Sequence, residues 1–84
     1  MTNPLEILKT QLEKALDDTS LNIDFREGLA DAMYACSLGE AALNVLVFSW
    51  TNQQLPEDLS EEDKQYQQGV QFVEEKWHAL TGMF

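Results

Sequence analysis

Glu75-Lys76-Trp77-His78 holds a Glu-x-x-His pair. Residues three apart share a helix face, and this pair supplies two ligands in bundle-type di-iron sites. Such a site needs a second Glu-x-x-His and two more Glu. The chain has one His, so only a symmetric pair of chains would complete the set. The helical wheel also turns Glu75 away from the apolar stripe of its segment. Lys76 and His78 there suit a solvated helix end, where cations complement the C-terminal dipole. Cys36 falls on an apolar face, where Cys behaves as a small hydrophobe. As a nucleophile it would need a base, and His78 is the single candidate. No Ser/His/Asp set stands out by spacing, and there is no glycine-rich phosphate loop. The expectation is a protein without catalysis, metal or cofactor.

The densest charge lies in Glu57-Asp58-Leu59-Ser60-Glu61-Glu62-Asp63, five carboxylates in seven residues. Over 84 residues, fifteen Asp and Glu face five Lys and Arg, for a net charge of −10. Such a chain repels phosphate backbones and anionic membranes, which excludes direct nucleic-acid and membrane-surface binding. The natural complement is a basic protein partner. In the plain reading, Glu57, Asp58, Glu61, Glu62 and Asp63 form a solvated loop and helix start. In the functional reading they form a docking patch. A sharper version is an acidic mimic of DNA that blocks a nucleic-acid-binding protein, with Asp17, Asp18, Asp24, Glu27 and Asp31 extending the acidic face.

Helices must position these groups. Asn3-Pro4 opens the first one, Asn as N-cap and Pro in the first turn. Leu5, Leu8, Leu12, Ala15 and Leu16 follow on one face, and Asp17-Asp18-Thr19-Ser20 makes a turn. Asp24-Phe25-Arg26-Glu27 resembles a capping box, leading into a stripe of Phe25, Leu29, Ala32, Met33 and Cys36. Gly28 weakens that helix by about 1 kcal/mol relative to Ala and marks a place where another backbone could come close. Ser37-Leu38-Gly39-Glu40 is a second capping box and predicts a break near Ser37, which Gly39 supports. One continuous helix from Asp24 to Thr51 is the alternative. Pro56 stops helix propagation in the polar stretch Thr51–Pro56. Ser60-Glu61-Glu62-Asp63 caps a last helix striped with Tyr66, Val70, Val73, Trp77 and Leu80. Gly82 ends it as a left-handed cap, leaving Met83 and Phe84 beyond.

The sum is an all-α, small four-helix bundle in a single domain, residues 1–84, with helices over about 4–17, 24–36, 38–51 and 61–81. A lone Cys, no signal-peptide pattern and no apolar run of about 20 residues predict a soluble cytoplasmic protein.

The third helix is the anomaly. In Ala42–Trp50, ALNVLVFSW, seven of nine residues are apolar. At about 100° per residue only a strip of about 100°, with Glu40, Asn44 and Thr51, is polar. A helix apolar nearly all round is a buried helix. Either the other three helices surround it, or its spare face meets a second copy or another protein. Ile7, Tyr34 and Phe72 also lie off their own stripes, and a contiguous apolar patch marks an interface. The expected interface is Val47, Phe48 and Trp50, joined by Tyr34 or Phe72, closed as a homodimer about a two-fold axis. The expected function is a non-catalytic interaction module: an adaptor, a dedicated chaperone, an immunity protein or a regulatory inhibitor.

Overall fold

The computed structural model describes residues 3–52 and 56–82. They form α1 (Pro4–Leu16), α2 (Ile23–Leu38), α3 (Glu40–Asn52), a 3-10 turn (Pro56–Asp58) and α4 (Glu61–Thr81). This is the expected all-α four-helix bundle, and no strand occurs among the described residues. Residues 53–55, within the polar connection, and Met83 and Phe84 lie outside the described residues.

The caps explain most boundaries. Asn3 Oδ1 accepts from the backbone N–H of Leu5 at 2.8 Å, with Pro4 in the first turn. Ser60 Oγ accepts from the N–H of Asp63 at 3.2 Å. Gly82 closes α4 with φ 72°, a left-handed conformation that glycine takes without a Cβ penalty. Two expected caps are corrected. The N-cap of α2 is Asn22, whose Oδ1 accepts from the N–H of Asp24 at 2.8 Å and of Phe25 at 3.3 Å. Asp24 therefore lies inside the first turn, where the dipole favours its charge. Ser37 does not cap α3. Its hydroxyl donates back to the Met33 carbonyl, and α2 runs on to Leu38. The break falls at Gly39, with φ 124°. That settles the choice against one continuous helix, and α3 folds back along α2 and α4.

The structure is organised around α2 and α4, which make the most extensive contact. They run antiparallel with three pairs in step. Phe25 meets Phe72 edge to face at 5.9 Å. Gly28 meets Gly69. The Tyr66 hydroxyl donates to Asp31 Oδ2. Each step moves three residues forward on α2 and three back on α4. At the middle step the backbones nearly touch. A Cβ on Gly28 would stand 2.7 Å from the Tyr66 carbonyl oxygen, and one on Gly69 would overlap the Phe25 carbonyl. The close approach anticipated for Gly28 is real, and its partner is Gly69.

α1 and α3 pack on either side of this pair, each touching both helices. Leu8, Leu12, Leu29, Leu43, Val70 and Val73 are fully buried between them. Burial of each such side chain is worth about 1.5–3 kcal/mol. Arg26 locks the α1 end, its Nη2 donating to the Leu16 carbonyl at 2.8 Å, a cation at a helix C-terminus. Gln67, which the periodicity leaves unmarked, is buried and donates to the Trp50 carbonyl in the last turn of α3 at 2.7 Å.

Gly69→Ala gains helix propensity, about 1 kcal/mol, but forces α2 and α4 apart. We expect a net loss of about 1–3 kcal/mol in urea unfolding; unchanged stability would mean that the contact yields freely. Burial, reinforced by the Asp31 hydrogen bond and by the charges of Asp31 and Glu27, raises the Tyr66 hydroxyl pKa well above its ordinary value. The unfolded chain then ionises first. The stabilisation is whole below the free tyrosine value of about 10 and is lost as pH climbs above it. Tyr66→Phe should reduce that alkaline decline, as read by circular dichroism between neutral and strongly alkaline pH.

Candidate functional site

Glu75 and His78 sit on the last turns of α4, Glu75 exposed and His78 half-buried. Among the described residues, no three His, Cys, Asp or Glu side chains gather as a metal-binding group. Cys36 is buried in the core, in the last turn of α2. The α2–α4 register puts Cys36 level with Glu61, and His78 lies on the order of 25 Å further along the axis. The two therefore form no nucleophile–base pair. Burial pushes the Cys36 thiol up, with the Lys9 charge opposing, so it is a poor thiolate at neutral pH.

The acidic residues divide by position. Glu57 and Asp58 are exposed on the 3-10 turn, and Glu61, Glu62 and Asp63 are exposed in the first turn of α4. Lys64 reaches Glu61 at 3.5 Å, an exposed pair of little energetic weight. Asp17 and Asp18 end α1 at the opposite end of the α2–α4 pair, beside Asp24. The Ser20 hydroxyl and N–H donate to Asp18 and lower its carboxyl pKa. Glu27 and Asp31 stand between the two ends on exposed turns of α2.

The apolar candidates separate sharply. Val47 is a core residue, 9 % exposed, and does not belong to the outward face expected of it. Trp50 is partly buried, its ring 4.6 Å from that of Tyr66. Phe72 is partly buried against Phe25, with Lys76 Nζ 5.3 Å above its ring, a cation–π contact. Tyr34 and Phe48 do face outward, at 68 % and 55 %. Val45, absent from the expected set, is 69 % exposed. Asn44, Val45, Phe48 and Ser49 line a shallow groove of about 460 Å³ along α3. On the wheel Val45 lies opposite Leu43, so once packing turns Leu43 inward Val45 must face out. Helix 3 is therefore not surrounded by the others. Its core stripe is Leu43 and Val47, flanked by Ala42, Leu46 and Trp50, and its far side is bare.

Cys36 should react with an aromatic disulfide reagent on the order of 100-fold more slowly in the folded chain than in denaturant, because attack needs local opening; equal rates would place the thiol at the surface. Compared with protein-family models, curated proteins and solved structures, the chain finds no match.

Proposed function

We propose that this protein is a non-catalytic interaction module that pairs with a second copy through the outward face of α3. The observation that supports this is a coincidence of charge and exposure. Val45 and Phe48 stand open on α3, and no Asp, Glu, Lys or Arg occurs from Ala41 to Pro56 in a chain of net charge −10. Two such chains repel over most of their surface. The uncharged face of α3 is where they can meet with least cost, and a two-fold contact buries Val45 and Phe48 on both sides at once. An aromatic in such a patch is the usual anchor. The acidic remainder stays free for a basic protein, as an adaptor, chaperone, immunity protein or inhibitor would use it.

The alternative is an acidic mimic of nucleic acid. In its favour, carboxylates run along the α2–α4 pair from Asp24 through Glu27 and Asp31 to Glu61, Glu62 and Asp63, over about 18 Å. Mimicry predicts capture of a nucleic-acid-binding protein that weakens steeply with salt.

Light scattering on a sizing column at low and high salt tests the pairing. We expect a dimer that tightens with salt, since screening relieves the mutual repulsion. Phe48→Asp should give a monomer of unchanged helix content, with stability within about 1 kcal/mol of the parent because Phe48 is outside the core. A parent that is monomeric at both salts would overturn the dimer.

A further inference from the structure

The outer face of α2 carries a second apolar stripe that the α3 contact does not use. Ile23, Tyr34 and Leu38 are 68 %, 68 % and 64 % exposed. Glu27 and Asp31, both exposed, lie between them. All five fall within an arc of about 80° opposite the buried face of α2 and extend over about 22 Å. The one cation of α2, Arg26, is off this arc, with its guanidinium committed to the Leu16 carbonyl. Asp31 accepts the Tyr66 hydroxyl.

Resting on the reading of the chain as an interaction module, we propose that this face docks a cationic amphipathic helix of a partner protein. Charge complementarity selects the occupant. A second copy would bring its own net charge of −10 against Glu27 and Asp31. An anionic membrane meets the same repulsion, and insertion into any bilayer would drag the two carboxylates in with the apolar side chains. A helix with an apolar stripe flanked by Lys or Arg satisfies both parts of the face. Its apolar side chains cover Tyr34 and Leu38 at one end and Ile23 at the other, and its cations reach the carboxylates between. The helical spacing of the anchors fits recognition of a helix laid alongside, rather than an extended strand. Tyr34 supplies a rigid aromatic anchor of the kind that dominates such contacts.

The test is an anisotropy titration of the full chain with a labelled amphipathic peptide of Leu and Lys, about 15–18 residues long to match the stripe. A scrambled peptide of the same composition serves as the comparison. The parent should bind the amphipathic peptide at least about tenfold more tightly than the scrambled one. The exposed pair Tyr34→Ser/Leu38→Ser should lose more than about tenfold in affinity while circular dichroism shows the fold intact. Glu27→Gln should weaken binding less and flatten its salt dependence. Phe48→Asp should bind like the parent. Equal binding of both peptides, or no loss in the Tyr34/Leu38 variant, overturns the proposal. Loss of binding in Phe48→Asp would move the peptide to α3 and also overturn it. The mass measurement on the parent fails or succeeds separately, so a wrong α3 dimer and a wrong α2 face give different results.

Discussion

Contact between two backbones, Gly28 on α2 and Gly69 on α4, is the constraint on which the rest of the bundle depends. Both glycines sit inside helices, where each costs about 1 kcal/mol relative to Ala. The close approach offsets that cost. It brings Phe25 onto Phe72 and Tyr66 onto Asp31 on either side of the crossing, and so sets the register of α2 against α4. Once that register is set, α1 and α3 have one place each, in the two grooves beside the pair. Arg26 holds the end of α1 and Gln67 the end of α3, each donating to a carbonyl in the last turn of its neighbour, where helix carbonyls have no intrahelical partner.

A bundle built this way leaves its outer helices half covered. α3 meets α2 and α4 through Leu43 and Val47, and the face beyond is open. Ordinarily such a face would be polar. Here it carries Val45 and Phe48 and no charge, while the rest of the chain is crowded with carboxylates. Uniform negative charge keeps copies of a small protein apart. Interrupting it on α3 leaves one face where that repulsion is least. This electrostatic contrast carries more weight than exposure, because isolated surface hydrophobes are common.

The same contrast separates two kinds of contact. The uncharged face of α3 suits a partner with the same charge as the chain, and the striped face of α2 suits one of opposite charge. Neither face calls on Cys36 or on Glu75 and His78. Cys36 is sealed in the core at a distance from the single histidine, and Glu75 points to solvent at the end of α4.

Much of this was legible in the sequence. Local signals determined the class and the helices: Asn3-Pro4, Ser60 and Gly82 mark helix ends by their own hydrogen-bonding and conformational preferences, and the apolar stripes follow from a period of 3.6. Where two local signals competed, sequence alone chose wrongly. Asn22 outranks Asp24 as a cap, and Ser37 caps nothing but bonds back to Met33 inside α2, while the expected break falls at Gly39, with φ 124°. Only the tertiary structure decided which side of α3 faces water. The wheel showed an apolar excess but not its direction, since Val45, Val47 and Phe48 have much the same hydropathy. Direction came from packing: the Gly28–Gly69 contact fixes α2 against α4, the groove beside them accepts Val47, and Val45 and Phe48 are left outside. That contact joins residues forty-one apart in the chain, beyond the reach of any periodicity.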